Sequence, residues 1–400
     1  MRISAALPQG VHALLFESAA RRRRLETALA ERLEAAAFSE VVLPVLDYLQ
    51  PYAPLLGPGR GRIGGSDRYH LLDRDGELLA LRADFTPMLA RLLAPRLPFL
   101  PRPLRLFYRG DVVRLDEERP GVEREFYQMG AELLGLAGEL AEREMLRLCL
   151  ELLVVGSGQQ LRSRPAEVAG DEGSIHMVLG FAGALDRPLL ACSGADPMAL
   201  ALAVERRERA TVRRAAPELL SVVEFGVPER PEDLGVRTGR RLRRLLALRD
   251  ELARHFPTVR LSVDLAEFAR HTLHPRLAAM ANAPAARSPG RARTRPGPER
   301  RSGIDAPAVA EWAPTPAGMT YYDGLVFRKA AQPVASGGRY DRLFRALGAE
   351  MPAVGFALGL DSWLAATEVA EAAEAESGDA RDRLMNELDA VPATLAEVTP

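Results

Sequence analysis

Gln128 and Glu132 stand four residues apart in REFYQMGAELLG. In a strand, alternate residues face the same way, so Arg124, Phe126, Gln128, Gly130 and Glu132 share one face and Tyr127, Met129, Ala131 and Leu133 the other, the core side. At ~3.3 Å per residue, Gln128 and Glu132 lie roughly 13 Å apart along the strand, able to grip the two ends of a small polar ligand. A carboxylate there suits an amine or an imidazolium; the same pattern also describes a plain solvated sheet face. LRADFTP places Asp84 and Thr86 where a hairpin strand turns into a helix. The pair can hold an ammonium group, or Thr86 can cap the helix while Asp84 complements its dipole. Arg114 at a strand end and Arg124 beyond the next loop suit a phosphate or a carboxylate, or are the charged tips of a hairpin. Tyr321 and Tyr322 in GMTYYDGLVF point to opposite faces of a strand, so one can offer a hydroxyl to a ligand while the other packs; both also fit as half-buried strand aromatics. The apolar stretch at 353–360 ends in Asp361, Ser362 and Trp363, with no cation where strand ends often carry a functional charge.

Other chemistry is not encoded in recognisable form. No Walker A loop, helix-opening GxGxxG, HExxH or GxSxG occurs. The six histidines are scattered. His271 and His274 are three apart but have no close carboxylate or cysteine at metal-ligand spacing. Neither a metal nor a cofactor is expected.

The elements that must position these residues follow from periodicity. Leu25, Leu29 and Leu33 at i, i+4, i+8 predict an amphipathic helix over 17–37. EVVLP reads as a short strand stopped by Pro44, and RYHLL and ELLALRA, joined by DRDG, as a hairpin. Thr86 is the expected N-cap of the following helix, with Pro87 at its first position. LRLFYRGDVVRL and REFYQMGAELLG are strands around the polar loop DEERPGVE. Helices are expected at 139–155, 199–215 and 239–255, and strands at VRLSVDLAEF, 321–327 and 353–360; GGRYDRLF reads as a Gly-rich turn and a short helix. The result is an α+β chain with an antiparallel core.

Four hundred residues with a 47% hydrophobic share can build a real core in two domains, or in one large domain with an appendage. A net charge of −1 gives no global pull toward nucleic acid or anionic lipid. Cys149 and Cys192 form no CxxC pair, so a disulfide framework is not supported and a reducing cytoplasm is the natural expectation. No signal peptide and no membrane span is expected. Residues 283–303 hold four Pro and six Arg with almost nothing apolar, and are expected to be a disordered insert.

Together these segments resemble the class II aminoacyl-tRNA synthetases, and histidyl-tRNA synthetase in particular. FSEVVLPVLD is similar to motif 1, the dimer-forming element; FYRGDVVRLDEERPGVEREFYQMGAELLG to motif 2; TYYDGLVF to the histidine-specific signature; and GGRYDRLFRALGAEMPAVGFALGLDSW to motif 3. The resemblance implies an antiparallel sheet flanked by helices; no anticodon-binding domain is expected, because the chain stops where one should follow. It implies a discontinuous core at 5–160 and 317–363, an inserted α/β region at 161–282, a Pro/Arg-rich insert at 283–316 and a tail at 364–400. The family's histidine pocket carries over to Asp84, Thr86, Arg114, Gln128, Glu132, Tyr321 and Tyr322.

Two positions depart from the synthetases. Ala317 stands where the signature carries an Arg, and Ser362 where motif 3 carries an ATP-binding Arg. Donors aimed at developing negative charge are worth about 3–4 kcal/mol each in comparable sites, so two losses leave little catalysis. This pattern resembles the family of synthetase paralogues that act as regulatory subunits of short-form ATP phosphoribosyltransferase, the first step of histidine biosynthesis. That resemblance implies a non-catalytic subunit, a hetero-octamer with the catalytic subunit, self-association through the motif 1-like segment, and L-histidine as a ligand. Two rivals remain open at this stage: an amino-acid-activating ligase relying on Arg114, and a tRNA-binding module using the 283–303 arginines, against which the balanced charge weighs.

Overall fold

The computed structural model describes residues 6–55, 69–114, 123–157, 175–192, 196–269, 322–329 and 334–365. The 115–122 loop, the Pro/Arg-rich 283–316 segment, Ala317, Tyr321 and the tail beyond 365 lie outside the described residues, as do His271 and His274.

In chain order, α1 (Phe16–Ala35) leads to β1 (Ser39–Glu40) and a small meander of β2 (Leu46–Tyr48), β3 (His70–Leu72) and β4 (Leu78–Leu81). Then come α2 (Phe85–Leu93), the long hairpin β5 (Leu104–Val113) and β6 (Glu125–Leu134), and α3 (Glu139–Gly156). The middle of the chain supplies β7 (Ile175–Phe181), α4 (Asp186–Ala191), α5 (Pro197–Glu205), α6 (Arg209–Ala215), α7 (Leu220–Phe225), α8 (Val236–His255) and β8 (Val259–Val263). It closes with β9 (Leu325–Lys329), β10 (Ala335–Arg339), α9 (Asp341–Ala346) and β11 (Ala353–Gly359).

Eight strands form one sheet in the order β1-β5-β6-β11-β10-β9-β7-β8. The two outermost pairs, β1 with β5 and β7 with β8, are parallel; every pair between them is antiparallel. The middle segment therefore adds β7 and β8 to the same sheet that carries the motif-like strands.

Strand alternation gives the sheet two working faces. On one, Phe107, Met129, Ala131, Leu133, Val354 and Phe356 pack with Leu25, Leu29 and Leu33 of α1 and Met145, Leu146 and Leu153 of α3, all at most 9% exposed. Each of the larger side chains contributes roughly 1.5–3 kcal/mol by leaving water. Glu26 is buried in this layer because Arg109 (3.1 Å), Arg23 (2.7 Å) and the Tyr127 hydroxyl (2.7 Å) satisfy its carboxylate. The other face carries Leu106, Leu134, Val326 and Ala353 under Leu89 and Ala90 of α2 and Leu343 and Phe344 of α9.

The β2-β4-β3 meander has its own apolar side. Register puts Leu46 and Tyr48 opposite Leu81 and Leu79, and Leu71 opposite Leu79, so all five share one face. Leu46, Tyr48 and Leu71 are exposed there, at 44%, 52% and 42%. The reverse face is fixed by Asp47, which accepts from the Tyr52 hydroxyl at 2.6 Å and from Arg91 of α2.

Four local expectations are corrected. Only Glu40 of EVVLP is in a strand, the two-residue Ser39–Glu40, extended by one hydrogen bond from the Val41 amide to the Phe107 carbonyl. The helix expected at 199–215 is two helices, broken where Arg207 takes a positive φ of 59°. Gly337 and Gly338 lie in strand β10, not in a turn: a Cβ on Gly338 would fall 2.3 Å from the Leu325 carbonyl, so the glycine is there to let β9 and β10 close up. The cap of α2 is Asp84, whose carboxylate accepts from the Thr86 amide at 3.1 Å, while Thr86 sits inside the helix.

Candidate functional site: a buried carboxyl ringed by hydroxyls

That last correction shapes the site. Because Asp84 caps α2, the Thr86 hydroxyl is free to turn onto the sheet, where it donates to Glu132 Oε1 at 2.7 Å. The Tyr340 hydroxyl, from the β10–α9 junction, donates to Glu132 Oε2. The Tyr108 hydroxyl approaches Glu132 Oε1 at 3.5 Å from β5, its ring stacked on Phe85 with centroids 4.3 Å apart. Three hydroxyls from three separate elements thus converge on one carboxyl.

The floor beneath them is bare backbone. Glu132 pairs with Gly355 across β6 and β11, and Tyr108 pairs with Gly130 across β5 and β6. A Cβ on Gly355 would fall 1.5 Å from Glu132 Oε2, and one on Gly130 would fall 2.4 Å from the Tyr108 hydroxyl. Both side chains lie flat over the sheet only because these two positions carry none.

Glu132 is 1% exposed, and burial pushes its carboxyl up to about 8, with the Asp84 carboxylate adding to the effect; the hydroxyls of Tyr340, Thr86 and Tyr108 pull the other way. Tyr108 is raised for the same reasons, burial first and then Glu132. A buried carboxyl beside the Asp84 carboxylate favours an incoming positive charge. Gln128 points the same way. It is 4% exposed, its amide nitrogen is 3.5 Å from the Tyr108 hydroxyl, and its Oε1 has no hydrogen-bond donor among the described residues. A buried carbonyl in that state calls for an N–H from a ligand.

The sequence-derived residues are placed as follows. Asp84, Thr86, Gln128 and Glu132 come together around the Tyr108 hydroxyl, and of the face left open between a ligand site and solvent, the Gln128–Glu132 part is buried. Tyr322 is 8% exposed, edge-on to Tyr340 with centroids 6.4 Å apart. Arg114 lies at the end of β5, its Nε donating to the Ala83 carbonyl at 2.9 Å and its guanidinium 4.8 Å over Phe126. Tyr321 lies outside the described residues. Tyr108 and Tyr340 were missed. Alternation in LRLFYRG could have placed Tyr108 on the face of Leu106, but nothing in the sequence shows that Tyr340 reaches across to β6.

Beyond β11, residues 360–365 are helical. Asp361 accepts from the Tyr127 amide at 2.6 Å and meets Arg22 at 3.4 Å, so it ties α1, β6 and β11 together. Trp363 is buried over Gly156 of α3.

Comparison with known proteins sets this geometry in a family. The histidyl-tRNA synthetase family profile matches residues 10–162 and 315–362. An ATP phosphoribosyltransferase regulatory subunit of Symbiobacterium thermophilum is 33% identical over 385 residues, covering 93% of this chain and 82% of that protein. The chain belongs to the ATP phosphoribosyltransferase regulatory-subunit family. A second member, from Moorella thermoacetica, is 30% identical over 90% of this chain and 81% of its own. A crystal structure described as an ATP phosphoribosyltransferase regulatory subunit/histidyl-tRNA synthetase from Bacillus halodurans shares the fold, with a TM-score of 0.64 at 20% identity, covering 92% of this chain and 84% of that one. This regulatory-subunit family member carries Ser362, a neutral side chain, on the first helical turn after the strand that floors the Glu132 site.

Proposed function

We propose that this chain is a non-catalytic regulatory subunit that binds L-histidine at the Glu132 site and transmits its occupancy to the catalytic subunit of a short-form ATP phosphoribosyltransferase, in the first step of histidine biosynthesis. The observation that carries the reading is the buried Glu132 carboxyl under three hydroxyls, beside the donorless Gln128 carbonyl. Glu132 and Asp84 take the positive charges of the ligand, Gln128 accepts an N–H, and Arg114 at the rim takes the carboxylate. Ser362, a neutral residue where a phosphate-binding cation would be needed, argues against adenylate chemistry. Coupling between such a pocket and a partner's site is typically about 1–3 kcal/mol, or roughly 5- to 150-fold in affinity, and is reciprocal. Activation, feedback, the hetero-octamer and a cytoplasmic location are all part of this proposal; no helix among the described residues is long and apolar enough to cross a membrane.

Calorimetric titration of the purified chain with histidine and, separately, ATP tests the reading. Histidine binding with no ATP binding is the expected result. Histidine-dependent ATP–pyrophosphate exchange would establish a ligase instead and sink the proposal. Reconstitution with the catalytic subunit then measures whether histidine inhibits only when this chain is present.

We further propose that the meander face of Leu46, Tyr48 and Leu71 is where two copies meet, adjoining the motif 1-like segment. Charging the centre of an apolar interface leaves an unpaired buried charge, costing roughly 2–5 kcal/mol. Tyr48→Asp is therefore expected to shift the chain from dimer to monomer in sedimentation analysis. A variant that remains dimeric would place the contact elsewhere.

A further inference from the structure

A cavity of about 210 Å³ lies between the N-terminal half of α3 and the middle of α8, over Phe181 and Leu325 at the ends of β7 and β9. It shares no lining residue with the Glu132 site. Most of its charges are already matched. Arg244 meets Glu139 at 2.6 Å, Arg143 meets Glu251 at 3.2 Å, and Glu142 is taken by Arg339 at 2.6 Å. Arg241 is the exception. Its guanidinium lies 4.6 Å over the Phe181 ring, and its one hydrogen bond is a long one, 3.5 Å, to the Ala182 carbonyl. Among the described residues no carboxylate is within ion-pair reach of it. Burial lowers its pKa, with Arg237 adding to that and Glu142 and Asp323 opposing it from a distance.

An arginine held flat against an aromatic ring, with most of its five donors unused, presents its fork in a fixed direction. Leu245, Leu248, Leu325 and the Phe181 ring make an apolar patch beside it, and Glu139, Glu142, Arg143, Arg244 and Glu251 line most of the remainder. The volume is below the ~300–1,000 Å³ of sites for drug-sized ligands, so the occupant is small. The cavity wall suits at most a singly charged anion. One free arginine faces a rim that includes Glu139, Glu142 and Glu251, which disfavours a phosphate dianion.

We propose that this cavity is a binding site for a small organic carboxylate, with Arg241 gripping the carboxylate and a short apolar tail resting on Leu245, Leu248 and Phe181. Its position, away from Glu132, makes it a second ligand site independent of the histidine reading.

The test is calorimetric titration of the full chain with isovalerate, with acetate and inorganic phosphate as comparisons. Isovalerate is expected to saturate the protein and to bind at least about tenfold more tightly than acetate, because only it fills the apolar wall. Arg241→Gln should weaken isovalerate at least about tenfold. Ala247→Trp, placed at the exposed rim, should block entry without touching the arginine, and it decides the matter if Arg241→Gln does not fold. Glu132→Gln should leave isovalerate binding unchanged. The proposal is overturned by no saturation at tens of millimolar, by unchanged affinity in Ala247→Trp, by tighter binding of phosphate, or by loss of binding in Glu132→Gln, which would place isovalerate in the other pocket.

Discussion

Glu132→Gln is expected to weaken histidine binding by roughly thirtyfold or more, and at the same time to make the protein more heat-stable in alkaline solution. The first effect follows from removing one partner of a desolvated charge pair, a loss of about 2–5 kcal/mol. The second follows from the raised carboxyl. Its folded value of about 8 lies far above the ~4.3 of an unfolded chain. The native state therefore holds a proton that the unfolded state has released throughout that interval. The associated stability is fully present below about pH 4 and is lost as pH rises toward 8. Above that, the wild type must keep an ionised carboxylate in its core, at a cost of roughly 4–5 kcal/mol that a glutamine never incurs. Scanning calorimetry at pH 5, 7 and 8.5 should show a melting-temperature gap between variant and wild type that is small at pH 5 and widens with pH. A gap of constant size would refute burial as the cause, and wild-type affinity in the variant would refute Glu132 as the cation's partner. Histidine binding at pH 7 should also release a proton, because the incoming cation ionises Glu132; the observed heat will then depend on the buffer's ionisation enthalpy.

Gly355→Ala should be among the most damaging single-methyl changes in the chain. The added Cβ would sit 1.5 Å from Glu132 Oε2 and 2.7 Å from the Ala131 carbonyl. A free glutamate could swing aside, but this one is held by Thr86 and Tyr340, and the carbonyl belongs to the neighbouring strand's backbone. Overpacking of this kind costs typically 1–3 kcal/mol, and the hydroxyl network lost with it adds to that. Gly348→Ala makes a fair comparison. That glycine has φ +80° and open space around it, so only about 1 kcal/mol of backbone strain is at stake. Urea denaturation should therefore rank Gly355→Ala well below Gly348→Ala in stability. The double variant Glu132→Ala/Gly355→Ala should recover part of the loss, since half of the clash is with the glutamate itself. If Gly355→Ala proves as stable as wild type, the Glu132 carboxyl does not lie flat over Gly355.

Much of the frame was legible from periodicity. The leucines of α1, the DRDG hairpin and the β5–β6 pair announce themselves in local sequence, because each buries one stripe or one face. What was not legible depends on contacts between distant segments. Gly337 and Gly338 look like a turn until β9 and β11 close on either side and leave no room for side chains. Asp84 and Thr86 are both good caps, and which one serves is decided by Glu132, which claims the threonine hydroxyl from the opposite layer. The face of Gln128 and Glu132 reads as solvated or ligand-lined with equal ease, since alternation fixes direction but not what covers it. Tyr340 reaches Glu132 only through the β10–β11–β6 order, which no local pattern records.

The strand order also has a consequence for how the chain comes to be folded. β11 bonds to β6 along its whole length, pairing Ala353 with Leu134 and Gly359 with Gln128, so partners from early and late in the sequence must find each other. On a ribosome, the β5–β6 hairpin emerges long before β11 exists, and one edge of β6 stays open during that time. Non-local pairing of this kind is slow, and an open apolar edge invites pairing with other chains. The early hairpin thus has an edge that must be kept from other chains until β11 arrives.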